Sequence, residues 1–157
     1  MNRYQILIQK LDEIIAELKE EQSQLVSAQI HALTQSLKLE SEIRDLRNAI
    51  AELPKKATNV VSAWEELVCQ KTIAMHRHDE KHAECAQLLE ILDEVIPEYE
   101  QERAELVNTI YNIMVIRNQE SLEQALSESA QYDQTLTGRE ERIMSIGAKR
   151  VLTPNQN

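Results

Sequence analysis

The first 53 residues of the chain contain neither glycine nor proline, which argues against a fold built on closely spaced tight turns. Within this stretch the apolar residues alternate at spacings of four and three: Leu7, Leu11, Ile14 and Leu18. That spacing places them on one stripe of a helix, as in a coiled-coil seam. The sequence therefore predicts a long amphipathic helix from about residue 4 to residue 53.

The apolar stripe changes phase in the middle of this segment. The seam weakens to small residues between 27 and 32, where we expect a bend or irregular turn. Leu33 and Leu37 then begin a shifted stripe, which we expect to form the buried face of the helix as far as Leu53.

Prolines mark the helix boundaries. Pro54 ends the first helix because proline cannot continue it. Thr58 or Asn59 offers a side-chain oxygen that can cap the next helix. The same four-and-three spacing continues through a second segment, in which Pro97 either kinks one helix or lies in the first turn of a new one. Helix is expected to about Tyr132.

These patterns predict an all-α fold, an antiparallel coiled-coil hairpin or elongated helical bundle of about three long helices. Hydrophobic residues make up 42% and aromatic residues only 3%, so aliphatic side chains must fill the core. The helical coiled-coil domain is expected over residues 1–137. Gly138 and Gly147 interrupt the pattern beyond it, so residues 138–157 are predicted to be a weakly ordered basic tail.

The formal net charge of −10 predicts repulsion from duplex DNA and from anionic membranes. We expect neither as a partner, and no stretch reaches the roughly 20 apolar residues that span a bilayer. The opening MNRYQILIQKLDEII lacks the apolar region of a signal peptide. Cys69 and Cys85 are best interpreted as reduced thiols, so a cytoplasmic location is expected.

The sharpest polar cluster contains His78, His82 and Cys85, which share one helix face. Imidazole and thiolate can hold zinc when a fourth ligand is present. No fourth ligand is evident, and the H-E-x-x-H pattern fails because Asp79 follows the first histidine. We favour a polar layer that sets helix register over a metal site or a pH switch.

No sequence motif indicates catalysis. The acidic run over residues 93–105 is interleaved with polar positions and is best interpreted as a solvated helix face. Phosphate-cradling loops and nucleophile elbows are absent from the sequence. We predict a non-enzyme without catalytic residues, a metal or a cofactor, and expect a binding protein instead.

The third helical segment carries the broadest apolar face. This face is wider than the part that packing in one hairpin groove can bury, so we predict that it binds an apolar helix of a partner protein. The predicted partner-binding residues are Leu106, Val107, Ile110, Tyr111, Ile113, Met114, Asn118, Leu122 and Leu126.

Three stretches carry a family resemblance. Residues 18–25 (LKEEQSQL) and the small-polar break at residues 28–29 precede spaced leucines. Residues 117–126 (RNQESLEQAL) place an Asn before leucines, and residues 147–152 (GAKRVL) form a Gly-containing basic end. Over about half of the chain this pattern resembles the FlgN-type flagellar export chaperones. Ser41 departs from it, since the family tends to carry Lys there.

The resemblance implies a cytoplasmic chaperone that holds the amphipathic C-terminal segments of hook-filament junction proteins for type III flagellar export. Alone, such a chaperone is expected to be a monomer or a weak homodimer. The alternative from the helical pattern is a self-associating coiled-coil scaffold or stalk component of a secretion or phage assembly.

Overall fold

A computed structural model describes the backbone of residues 3–117 and 131–152, and the side chains of residues 3–115 and 136–148. The described residues form three helices, which we label α1 (Arg3–Ala51), α2 (Thr58–Arg117) and α3 (Gln131–Leu152). The predicted all-α fold of about three long helices is confirmed. Helix α1 is continuous through residues 27–32, so the irregular turn expected there does not interrupt it.

The connection between α1 and α2 is a short turn around Pro54. The Pro54 carbonyl accepts a hydrogen bond from the Ala57 N–H at 3.0 Å. The Ala57 carbonyl then accepts the first helical bond of α2, from the Val61 N–H at 3.0 Å. Ala57 therefore occupies the cap position that was expected for Thr58 or Asn59, which lie inside the helix.

Pro97 lies inside α2, which is one continuous helix on both sides of it. Of the two arrangements that the sequence left open, the structure has the single helix. Pro97 is exposed, and it removes one backbone donor that would otherwise bond to the carbonyl four residues earlier.

The chain divides into two compact units rather than at residue 138. Unit 1 takes its described residues from Met1–Gln22 and Glu90–Asn157, and unit 2 is Ser23–Leu89. Helices α1 and α2 each contribute to both units, whereas α3 belongs to unit 1 alone.

Unit 1 is a three-helix unit with an apolar core. Side-chain bonds join Asp12 to Arg103 and Gln22 to Asp93, so residue numbers rise along α1 as they fall along α2 and the two helices are antiparallel here. The buried core consists of Tyr4, Leu7, Leu11, Ile15, Leu18, Leu92, Val95, Ile96, Tyr99, Leu106, Ile113, Leu136, Ile143 and Ile146.

Unit 2 is an antiparallel two-helix hairpin with a thin seam. The Ser36 hydroxyl donates to Asp79, and the Lys71 ammonium pairs with Glu42 at 2.8 Å. Because two helices share only one seam, few side chains are buried: Ala32, Ser36, Ile43 and Cys85.

The buried face of α1 in unit 2 differs from the predicted one. Leu33 and Leu37 were expected in the seam, but both are exposed. The heptad phase of Leu18 instead continues without rotation, and small residues such as Ala32 and Ser36 occupy the seam positions. The prediction placed Leu33 and Leu37 in the seam because they are large and apolar, but they lie on the adjacent, exposed face of α1.

The C-terminal segment also differs from the expected tail. Helix α3 crosses residue 138 and extends to Leu152, with Ile143 and Ile146 buried in unit 1. Gly138 lies inside this helix and does not end it. The packing of an apolar stripe outweighs the low helix propensity of glycine, which costs only about 1 kcal/mol.

The two glycines of α3 should respond differently to alanine. A Cβ at Gly138 would meet nothing within 4 Å, so Gly138→Ala is expected to raise the free energy of unfolding by about 0.5–1 kcal/mol. A Cβ at Gly147 would lie 3.1 Å from the Tyr99 hydroxyl oxygen. Gly147→Ala should therefore raise the free energy of unfolding by less than Gly138→Ala does, or lower it. Urea denaturation of both variants measures the difference, and equal gains would contradict the packing of α3 on Tyr99.

Candidate functional site

The predicted partner-binding segment lies on α2 in unit 1, and its two apolar rows have different environments. Leu106 and Ile113 are buried in the core, and Ile110 and Met114 are half-buried. Leu106 and Ile113 therefore belong to the fold and are not available to a partner. Of the remaining predicted residues, Asn118, Leu122 and Leu126 lie outside the described residues.

The second row of that segment is on the surface. Val107 is 42% exposed and Tyr111 is 65% exposed. Val115, which is not among the predicted partner-binding residues, is 58% exposed. These three residues recur every four positions, so they lie along one face of α2. We call them the α2 row. Their exposed neighbours Asn108 and Asn112 are polar but uncharged.

A second exposed apolar surface lies on α1 in unit 2. It consists of Val26, Ile30, Leu33 and Leu37, which are between 40% and 59% exposed. Their spacings of four, three and four give them the periodicity of a coiled-coil seam. We call these four residues the α1 stripe. Sequence reasoning placed Leu33 and Leu37 in the hairpin seam and so missed the stripe as a surface.

Both surfaces lie in stretches without charged side chains. The chain is 28% Asp, Glu, Lys and Arg, yet none of these occurs in residues 22–37 or in residues 106–116. These are the two longest uncharged runs in the sequence. Because solvent-facing helix positions in this chain are otherwise rich in charge, an uncharged run of this length is the sequence signal that would have identified both surfaces.

A polar cluster holds α3 against α2 in unit 1. The Arg139 guanidinium contacts Glu102 at 3.4 Å and Glu105 at 3.1 Å, and donates to the Thr109 hydroxyl at 3.2 Å. The Arg139 and Glu102 side chains are only 12% and 11% exposed. Arg142 lies 3.8 Å from Glu102 at the edge of the cluster.

Electrostatics in this cluster favour the ionised carboxylate. The hydrogen bond from Arg139, followed by one from Gln101, holds the pKa of Glu105 below its usual 4.5. The carboxylates border a groove of about 300 Å³ whose lining is mostly polar. Since Arg139 and Arg142 already neutralise them, we interpret the cluster as the polar attachment of α3.

The histidine and cysteine cluster lies in the unit 2 hairpin. Cys85 is buried and His78 and His82 are half-buried. Close by in sequence, Asp79 accepts the hydrogen bond from buried Ser36 across the two helices. Across residues 3–117 and 131–152, the structure brings together no group of three His, Cys, Asp or Glu side chains that could hold a metal ion.

None of the helices in the described part of the chain combines the length and apolar character needed to cross a membrane. In comparisons with known proteins, no protein-family model, curated protein or solved structure matches this chain.

Proposed function

We propose that this protein is a helical chaperone that holds an amphipathic helix of a partner protein on the α2 row. The observation that carries the proposal is the exposure of Val107, Tyr111 and Val115 on the same helix that buries Leu106 and Ile113. One face of this segment completes the core of unit 1, and the adjacent face is apolar without a covering element among the described residues.

The chemistry of the row fits a helical partner. Burying a fully exposed large apolar side chain contributes roughly 1.5–3 kcal/mol, so the three partly exposed residues of the row can supply part of the free energy of binding. An amphipathic helix presents its own apolar stripe at three- and four-residue spacings, which matches the four-residue spacing of the row. Tyr111 adds a large rigid ring, the kind of side chain that often dominates helix-binding surfaces.

The resemblance to FlgN-type chaperones suggests the identity of the partner. In that family the cargo is the amphipathic C-terminal segment of hook-filament junction proteins, which are delivered to the type III export apparatus. We propose the same cargo class here. Residues 117–126, which carry part of the resemblance, directly follow the α2 row in the sequence.

The proposal predicts that the double variant Val107→Ser/Tyr111→Ser loses cargo binding without unfolding. The probe is a synthetic peptide of the C-terminal segment of a hook-filament junction protein from the same genome, and binding is measured by calorimetry. We expect the affinity to fall by more than about tenfold, because two apolar contacts are lost. The helical circular dichroism signal should stay unchanged, because both side chains are exposed in the free protein.

A matched control is the double variant Ile6→Ser/Met144→Ser, which removes two exposed apolar side chains of unit 1 outside the row. This control should bind the peptide as well as the parent protein does. Equal loss in both variants would indicate non-specific hydrophobic binding. Failure of the parent protein to bind the peptide would reject the proposed cargo.

A further inference from the structure

We propose that the α1 stripe is a self-association surface on which a second copy of this chain docks, with the two α1 helices antiparallel about a two-fold axis. The inference concerns unit 2 and goes beyond cargo binding on the α2 row. It begins from the exposure of Val26, Ile30, Leu33 and Leu37 on one helix of a hairpin that has few buried residues of its own.

The spacing of the stripe makes it complementary to itself. Its intervals of four, three and four residues read the same in both chain directions. When a second α1 lies antiparallel, Val26 faces Leu37 of the second copy and Ile30 faces Leu33 of the second copy. A two-fold axis midway between Ile30 and Leu33 then generates an interface in which the same residues serve on both sides.

Charge favours a second copy at this place. Two chains of net charge −10 repel each other in general, and this repulsion is weakest where neither carries charge. The stripe lies within residues 22–37, the longest uncharged run of the chain, so the antiparallel arrangement opposes uncharged residues to uncharged residues. Within that run a strongly charged partner helix would find no Asp, Glu, Lys or Arg to pair with.

One polar group beside the stripe, the Thr34 hydroxyl, can be covered without loss of its hydrogen bond. The exposed Thr34 hydroxyl already donates to the Ile30 carbonyl of its own helix at 2.8 Å. Ser27 and Gln29 also flank the stripe, and both are uncharged. Burial of this face therefore does not leave the Thr34 hydroxyl without a hydrogen bond. An unsatisfied buried hydroxyl would oppose association.

The architecture of unit 2 gives the second copy a structural role. A two-helix hairpin has a single seam, and stable helical domains usually pack a further layer against it. Among the apolar residues of unit 2, only Ala32, Ile43 and Cys85 are buried. Docking of two hairpins through their stripes produces a four-helix arrangement in which the large stripe residues also enter a core.

Sedimentation equilibrium of the full chain in reducing buffer tests the inference. The parent protein should approach twice its 18.1 kDa mass as concentration rises into the micromolar to millimolar range. Ile30→Lys and Leu33→Glu should each weaken dimerisation by on the order of a hundredfold, because each buries an unpaired charge in the interface. An equimolar mixture of the two variants should dimerise again, because the two-fold places the new charges of opposite sign face to face.

Each outcome decides the inference. A parent protein that stays monomeric at all concentrations overturns it, and so does an Ile30→Lys variant that dimerises like the parent. A mixture that fails to dimerise overturns the antiparallel register, since parallel helices would set Ile30 against Ile30. The variant Val107→Ser/Tyr111→Ser is the control and should dimerise normally, which separates this surface from cargo binding.

Discussion

Replacing Arg139 by methionine should lower the free energy of unfolding by about 3 kcal/mol, because it leaves the buried Glu102 carboxylate without its main partner. Both side chains are close to 90% covered, so water screens their interaction little. Methionine keeps most of the volume of the arginine stem, which limits the contribution of a packing defect. Urea denaturation followed by circular dichroism measures the change.

A matched control is available on the same helix. Arg142 also faces Glu102, at 3.8 Å, but its side chain is 57% exposed. Exposed ion pairs contribute at most about 1 kcal/mol, so Arg142→Met should stay within that range. The double variant Arg139→Met/Glu102→Gln should recover part of the loss, since the uncompensated charge is removed. An Arg139→Met variant as stable as Arg142→Met would contradict the buried cluster.

Acid titration supplies a second readout of the same substitution. The pKa of Glu105 is lowered in the folded protein, chiefly by the hydrogen bond from Arg139. The unfolded chain therefore binds protons to this carboxyl more readily, and the stabilisation is present above the unfolded value of about 4.5. It is lost as the pH falls through the lower folded value. In Arg139→Met the free energy of unfolding should therefore fall less between neutral and acid pH, because the Glu105 contribution is reduced.

The helices could be predicted from the sequence because their signals are local. The absence of glycine and proline before Pro54 and the four-and-three spacing of apolar residues depend only on neighbouring positions. The predicted end of α1 near Leu53 lies within two residues of its observed end at Ala51. Secondary structure of this kind needs no knowledge of what packs against each face.

The faces of the helices were harder to assign because packing decides them. Leu33 and Leu37 have the size of core residues, whereas the observed seam uses Ala32 and Ser36. A close approach of two helices favours small side chains, and that distance is not encoded in the residues of one helix alone. The Arg139–Glu102 contact similarly joins residues 37 positions apart, which no local pattern connects.

Helix α3 is a segment for which the sequence predicts less order than the structure has, again because packing decides the outcome. Gly138 and Gly147 reduce local helix propensity, so the sequence pattern predicted weak order. Leu136, Ile143 and Ile146 nevertheless form a stripe that is buried in unit 1. Tertiary burial of three large aliphatic side chains contributes several kcal/mol and therefore outweighs the cost of two glycines.

Leu106→Ala should destabilise the protein by about 3 kcal/mol, whereas Val107→Ala should change its stability by no more than about 0.5 kcal/mol. Leu106 is fully buried, so truncation removes its burial energy and leaves a cavity that the three helices of unit 1 can close only in part. Val107 is the next residue on the same helix, but 42% of it faces solvent. Both substitutions end in alanine at adjacent positions of one helix, and Val107→Ala in addition gains some helix propensity because valine is a poorer helix former than leucine.

The pair also tests the division of the third segment into a core row and a binding row. Urea denaturation gives the stability of each variant, and calorimetry with the junction-protein peptide gives its binding. Val107→Ala should keep the stability of the parent protein and bind the peptide more weakly. Leu106→Ala should lower the stability, because Leu106 lies in the core and does not contact the peptide. Equal destabilisation by both would mean that the α2 row is part of the core, and the proposed cargo surface would then have to be abandoned.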